Sequence, residues 1–362
     1  MNRSIFGSAL LAALIIAVSA TVVLASENLT VYFWDVRQGD SELIQFNNKN
    51  VLIDAGTQEM GPRVECYLKE IGVSSLDLLI ATHPHSDHIG GLLTVLNDFP
   101  IRQVLDSGQE HTSQTFENYL SLIDWKNIPF EVAKRGQTID LDPAIDIEVL
   151  SPPATHFIDD VLNQNSVVLK VTYENVSILF MGDAGNVAES NLLSSGYNVD
   201  ADVLKVGHHG SSSASSAEFL SEVTPLISVI EVGEGNEYGH PTTRTLNALQ
   251  TTGSAIYRTD RDGSIMVTTD GEGITVTKVQ SRCSNLVSSS TISSTASVPE
   301  STSPAISASS DGPFVASSKS DKYHYPTCSA AKRIKSSNLI TFASSAEARS
   351  AGYSPCSICN PP

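Results

Sequence analysis

Four side chains able to bind a cation fall within six positions of the string Thr82-His83-Pro84-His85-Ser86-Asp87-His88-Ile89-Gly90-Gly91. Three imidazoles and a carboxylate this close together repel, titrate or stay solvated unless a cation gathers them. The string leaves an apolar run, Leu76–Ala81, that reads as a buried strand, and enters a pattern, Ile89–Asn97, that reads as a helix. Alternate residues of an extended segment point to one side, so His83 and His85 face a common point. Asp87 and His88, at the helix mouth, turn towards a second point, and Gly90 and Gly91 let the helix start pack closely. Two points served by nitrogen and oxygen donors suit a pair of divalent ions about 3.5–4 Å apart, as two-metal hydrolases require. A polar surface loop that happens to be rich in histidine is the alternative, but it gives no reason for the strand–loop–helix setting.

Three more strings extend the pattern: Leu52-Ile53-Asp54-Ala55-Gly56, Phe180-Met181-Gly182-Asp183-Ala184-Gly185 and Tyr238-Gly239-His240-Pro241. With the histidine string they resemble, in order, the metallo-β-lactamase superfamily. That resemblance implies an αββα sandwich of α/β class and a metal set of His83, His85, Asp87, His88, Asp183 and His240. Asp183 would bridge two ions, zinc or manganese, and Asp87 would belong to the catalytic set as well. Asp54 would complete that set by bracing the histidine loop from behind.

A narrower resemblance rests on Asp35-Val36-Arg37-Gln38-Gly39-Asp40-Ser41, Asn165-Ser166-Val167-Val168-Leu169 and Leu204-Lys205-Val206-Gly207-His208-His209-Gly210-Ser211. These strings are similar to the extracellular β-lactamase-like domain of competence DNA-uptake channel proteins, over about 250 residues in motif order. The similarity implies action on a phosphodiester backbone, with DNA as the substrate class, and says nothing of a channel. His208 is expected to donate a proton to the leaving oxygen or to contact the phosphate. Its alternative is a histidine pair capping the Ser-rich turn that follows. Lys205 reads equally as a phosphate contact or a strand-end charge. Two departures stand out. Arg37 occupies a position where the subgroup has glycine, so a different loop shape is expected there. The lone histidine that the superfamily places before the bridging aspartate has no clear equivalent, since neither His111 nor His156 has its flanks. Asn165 is the residue expected to approach a metal in its place, directly or through water.

The elements that must position these groups are legible as short runs. Strands are expected at Leu29–Trp34, Glu42–Phe46, Asn50–Ile53 and Leu76–Ala81, and later at Val167–Tyr173, Val176–Met181, Val203–Val206 and Leu226–Glu231, among others. Helices are expected at Arg63–Ile71, Gln114–Trp125, Ala188–Ser194, Ser216–Ser221 and Thr242–Thr251. Many strands with helices between them, but without strict βαβ spacing, point to two packed sheets with helices outside.

The 362 residues exceed what one core usually supports, so two domains are expected. The formal charge of −18 excludes a chain whose whole surface embraces nucleic acid. It is unevenly spread: residues 314–362 carry six Lys and Arg against two acidic residues, a net +4, which leaves −22 for the rest. Residues 1–25 combine Arg3, an apolar run and compact residues before Ser26, the pattern of a signal peptide or, uncut, an N-terminal anchor. A secreted or extracytoplasmic location follows, with the membrane as a partner only if the segment is retained. Residues 26–280 form the hydrolase domain and 281–313 a Ser/Thr-rich linker, too poor in apolar residues to fold. Cys66 and Cys283 stand alone in the sequence.

In residues 314–362, His324 and Cys328 are separated by three residues, and Cys356 and Cys359 by two. Two short pairs of soft ligands are the grammar of a closed tetrahedral zinc site, and a fragment with so little core needs such a staple. One disulfide plus a free thiol is the alternative. The strings His324-Tyr325-Pro326-Thr327-Cys328 and Pro355-Cys356-Ser357-Ile358-Cys359 resemble the zinc module of the Ada DNA-repair protein, with His324 replacing a cysteine. That replacement argues against thiolate methyl transfer and leaves a structural zinc. Lys332-Arg333-Ile334-Lys335 suggest contact with nucleic acid, though such a run also serves as a solvated face.

The expectation is therefore a secreted, metal-dependent nuclease in which two cations activate a water. A small-molecule hydrolase of the same fold (lactonase, thioesterase or phosphodiesterase) and a non-catalytic DNA-binding protein with a degenerate metal site are the alternatives.

Overall fold

A computed structural model describes residues 28–158, 161–286 and, within 313–361, all but 318–321, 327, 329–330, 332–333, 336–337, 352, 357–358 and 360. The expected signal or anchor segment, most of the linker, and Lys332 and Arg333 lie outside these residues. Among the described residues no helix is long and apolar enough to cross a membrane.

Two sheets face each other. The first contains β1 (Leu29–Phe33), β2 (Glu42–Phe46), β3 (Lys49–Ile53), β4 (Leu78–Ala81), β5 (Val104–Asp106), β6 (Phe130–Val132), β13 (Ile265–Thr269) and β14 (Ile274–Lys278). The second contains β7 (Ile145–Ser151), β8 (Val168–Tyr173), β9 (Val176–Phe180), β10 (Val203–Lys205), β11 (Ile227–Ile230) and β12 (Ala255–Arg258). Their orders are β14-β13-β1-β2-β3-β4-β5-β6 and β12-β11-β10-β9-β8-β7. Each sheet is part antiparallel and part parallel: β3 to β6 run parallel in one, β9 to β12 in the other.

The strands are apolar at consecutive positions because both faces of each sheet are covered. Ile44, Ile53, Ile80 and Leu105 point inward to meet Leu169, Ile178, Phe180 and Val229 of the other sheet. Their neighbours Leu43, Leu52, Leu79 and Val104 point outward onto helices α1 (Gly61–Glu70), α3 (Leu92–Asp98) and α4 (Gln114–Trp125). On the far side, Val168, Leu179, Leu204 and Ile230 pack against α6 (Asn186–Ser194), α7 (Ala217–Val223) and α8 (Thr243–Thr251). The result is the αββα sandwich expected from the sequence.

The helix expected at Ile89–Asn97 is split into α2 (Ser86–Ile89) and α3. The break falls at Gly90 and Gly91, where the 54–58 loop lies against the backbone: a Cβ on Gly91 would come 2.0 Å from the Ala55 carbonyl oxygen. The segment expected to begin the linker instead closes the sandwich. Arg282–Asn285 form a turn of 3₁₀ helix, and Cys283, fully buried, is disulfide-bonded to Cys66 of α1 across 217 residues of sequence. Arg63 Nε donates to the Leu286 carbonyl at 2.9 Å, so the packed chain reaches Leu286 rather than Gln280.

The C-terminal residues form a separate sheet in the order β17 (Leu339–Phe342), β15 (Phe314–Ser317), β16 (Lys322–His324), β18 (Ser354–Pro355). Its apolar core is small, centred on Phe314, Tyr323 and Phe342.

Candidate metal centre

Most groups of the candidate site follow the carboxyl ends of strands, where an α/β sheet leaves its crevice. Asp54 follows β3, the histidine string follows β4, Asp183 follows β9, and His208 and His209 follow β10. The structure brings His83, His85 and Asp183 within ligand distance of one another, and likewise Asp87, His88 and His209. Asp183 joins the two triads. Its Oδ2 lies 3.6 Å from His83 Nε2 and 3.4 Å from His88 Nε2, while its Oδ1 lies 3.5 Å from His209 Nε2.

The imidazoles are aimed from behind. His88 Nδ1 meets Asp54 Oδ2 at 2.8 Å, which turns Nε2 towards Asp183. Asp54 Oδ1 accepts from the Thr82 backbone N–H at 2.9 Å, so one buried carboxylate fixes both the loop and a ring within it. Asp54 therefore braces the histidine loop from behind, as expected. His209 is held in the same way, with Nδ1 3.2 Å from Asp40 Oδ1 and 3.0 Å from the Glu231 carbonyl oxygen. Its Nε2 then faces Asp87 Oδ2, also at 3.5 Å. Both His208 and His209 have left-handed backbones (φ 48° and 51°), a conformation costing roughly 1–2 kcal/mol per residue that is tolerated where a site needs it.

His88 Nε2, His209 Nε2 and Asp183 Oδ1 are buried and lack any hydrogen-bond partner. Such orphaned groups cost about 1–3 kcal/mol each, and a cation between them would satisfy all three. The donor set of imidazole and carboxylate suits zinc or manganese. Burial holds the proton affinity of His83 and His85 down, which leaves neutral rings able to ligate. Burial also acts against protonation of His88 and His209, but the surrounding carboxylates, Asp183 foremost, reverse it. His88 is held well above the usual histidine range and His209 is pushed up to about 10. Burial would raise Asp183, yet the same two imidazoles hold it well below the carboxylate range. The cluster is a concentrated pocket of negative charge that draws positive charge onto itself.

Several sequence expectations change. His240 takes part in neither triad: its ring packs edge-on to His208, with centroids 5.6 Å apart, at the mouth of the same cleft. His209, expected only as a companion of His208, stands with Asp87 and His88 instead. The signal was present in the string Gly207-His208-His209-Gly210, but adjacent residues cannot be ranked until the left-handed turn is known. His208 remains at the cleft, with Nε2 3.8 Å from Asp183 Oδ2. Asn165 does not approach the centre. Its amide spans Phe157 N and O and the Val161 carbonyl, at 2.9, 3.0 and 2.6 Å. Ser166 stands there instead, with Oγ 3.4 Å from His83 Nδ1 and accepting from Asp183 N–H at 3.2 Å.

Lys205 ends β10, as one of its two readings had it, but is not placed to contact a phosphate. It is fully buried, with Nζ 2.6 Å from Asp40 Oδ2. Asp40, unassigned in the sequence, thus links this lysine to His209. Arg37 takes φ 62°, the region glycine enters freely, so the loop keeps a glycine-type backbone at a cost of roughly 1–2 kcal/mol.

In the C-terminal module, His324, Cys328, Cys356 and Cys359 converge within ligand distance, with His324 Nδ1 3.6 Å from Cys328 Sγ. No disulfide joins Cys328, Cys356 and Cys359, which sets aside the alternative of one disulfide plus a free thiol. Burial, with the neighbouring thiols, pushes the Cys359 thiol up.

The metallo-beta-lactamase superfamily profile matches residues 34–233, more than half of the sequence. The chain belongs to the metallo-beta-lactamase superfamily. A second profile, the metal binding domain of Ada, matches residues 305–362. Among curated relatives, ComE operon protein 3 of Bacillus subtilis is 29% identical over 249 residues, covering 64% of this chain and 32% of that protein. Competence protein ComA of Neisseria gonorrhoeae is 31% identical over 237 residues, covering 65% and 31%. The superfamily member spans about a third of the length of these two relatives. A shorter match, Exodeoxyribonuclease WalJ of Streptococcus pneumoniae, is 29% identical over 180 residues, covering 47% and 62%.

Proposed function

We propose that this metal-dependent hydrolase is a phosphodiesterase acting on DNA outside the cytoplasm. The observation that carries the reading is the convergence of two ligand triads on Asp183. In this proposal His83, His85 and Asp183 hold one divalent ion, and Asp87, His88, His209 and Asp183 hold the other. Bound there, zinc or manganese would supply an acidified water and offset charge gathering on a phosphate. Asp54 keeps His88 aimed, and the Asp40–Lys205 pair keeps His209 aimed. His208 reaches the cleft from the side and serves the leaving oxygen as proton donor.

DNA as substrate is supported by the competence proteins and by the exodeoxyribonuclease among the relatives. It is also supported by the basic C-terminal module, which can contact a phosphate backbone that the acidic sandwich would repel. In that module His324, Cys328, Cys356 and Cys359 would hold a structural zinc, and Lys335 is exposed. Location outside the cytoplasm is supported by the Cys66–Cys283 disulfide, a bond that persists in oxidising compartments.

The test is hydrolysis of circular and linear DNA by the full chain, with each divalent metal supplied singly. The unmodified chain should cleave, and Asp183→Ala should lose at least about a thousandfold in rate while remaining folded. Full activity of Asp183→Ala would refute the site. Hydrolysis of nitrophenyl esters without DNA cleavage would move the chain to the small-molecule hydrolases of the fold. Binding without turnover in any metal would make it a capture protein.

A further inference from the structure

The loop between β11 and α8 carries an aromatic ring that the proposed chemistry does not use. Tyr238 is 61% exposed and lines the same cleft as Asp183, His208 and His240. Its ring stacks on His240, with centroids 5.7 Å apart and planes 27° from parallel. His240 in turn meets His208, whose Nε2 stands beside Asp183. Three rings therefore lead from the reaction centre outward, and the last presents a free face to solvent.

The exposure is not that of a loose loop. Asn236 straps the segment from inside: its Nδ2 donates to the Gly233 and His240 carbonyls at 3.0 and 2.7 Å, and its Oδ1 accepts from His240 N–H at 3.0 Å. Gln38 Oε1 accepts from Gly233 N–H at 3.3 Å from the other wall. The backbone on either side of the ring is thus held in place before any ligand arrives.

Charge decides what the face can take. Glu234 and Glu237 precede Tyr238 on the loop and are exposed, so a phosphate is disfavoured along this loop. A neutral planar group is not. The cleft opens to solvent beside the centre and has room there for such a group.

We propose that Tyr238, backed by His240, is a stacking platform for the nucleobase next to the scissile phosphate, so that the site takes unpaired rather than duplex DNA. This rests on the phosphodiesterase reading of the centre and adds to it where the base goes. Base–aromatic stacking is worth about 1–3 kcal/mol by alanine substitution and accepts any base. A base within a duplex cannot reach the face without leaving its stack.

The experiment uses the full chain, each divalent metal supplied singly, and two single-stranded oligonucleotides of equal length, one normal and one with abasic positions throughout. Both offer the same phosphates, and only one offers bases. The ratio of kcat/KM on the normal strand to that on the abasic strand should be about tenfold or more for the unmodified chain. It should fall close to one in Tyr238→Ala and be kept in Tyr238→Phe and Tyr238→Trp. An unchanged ratio in Tyr238→Ala, or a ratio of one in the unmodified chain, would overturn the platform and leave the phosphodiesterase reading standing. Failure of the unmodified chain to cleave either strand in any metal would remove that reading, and the platform with it.

Discussion

The molecule gathers ligands twice, and the two clusters are built in opposite ways. In the sandwich, the site sits on elements that are already fixed. Three apolar layers bury β4, β9 and β10, and their ends deliver His83, Asp183 and His209 to one place. Asp54 and Asp40 then aim the rings from behind. In the C-terminal module, Cys328 and Cys356 are themselves part of the core, packed with Val315 and Ala331, and the remaining apolar cluster is small. The fold positions the candidate ligands in one region, whereas in the other two of the candidate ligands are themselves core residues. Nitrogen and oxygen donors suit exchangeable ions that do chemistry, and thiolates suit a closed zinc that does not.

The contrast can be broken most forcefully by removing metal. Structural zinc contributes roughly 10–16 kcal/mol of folding free energy in small modules. Cys356→Ser, or exhaustive chelation, should therefore unfold the C-terminal module and collapse its dispersed amide resonances. The same chelation should leave the sandwich resonances in place. A module that stays folded without metal would erase the distinction.

The sandwich should instead respond to its covalent clasp. Replacing Cys66 and Cys283 together with serine should cost about 2–5 kcal/mol, read as a lowered midpoint in urea. The module's resonances should not move. No change in midpoint would mean that the chain beyond Gln280 adds nothing to the hydrolase domain.

A smaller effect sharpens the claim that the sandwich positions its ligands from behind. Asp54→Asn keeps the shape but weakens the grip on His88 Nδ1. Affinity for divalent ions in the hydrolase centre should fall about 10–100-fold, as it does for other second-layer partners, measured by metal titration of the folded variant. Unchanged affinity would show that His88 needs no support.

How much of this was legible in the sequence follows the same division. The sandwich was readable because its strands are short runs, apolar at consecutive positions and followed by Asp, Gly or His, as burial on both faces requires. The histidine string was readable because its ligands are contiguous. What escaped were relations that no spacing encodes. Cys66 and Cys283 are 217 residues apart, and only packing of α1 against the chain end makes them neighbours. His208 and His209 are adjacent, and only their left-handed backbones decide which ring turns inward. Asn165 looked like a ligand because a polar residue stood where one was wanted, yet its amide is spent on Phe157 and Val161. Lys205 read as a phosphate contact or a strand-end charge, and the buried carboxylates that offset its burial, Asp40 first, lie far from it in sequence.

The central claim is that two ions share Asp183, with His209 rather than His240 completing the second triad. Metal content of the manganese-loaded, zinc-replete chain tests it directly. The unmodified chain should hold two ions in the hydrolase centre beside the module's zinc, His240→Ala should hold the same, and His209→Ala should lose one. Loss of an ion from His240→Ala with full retention in His209→Ala would contradict the account.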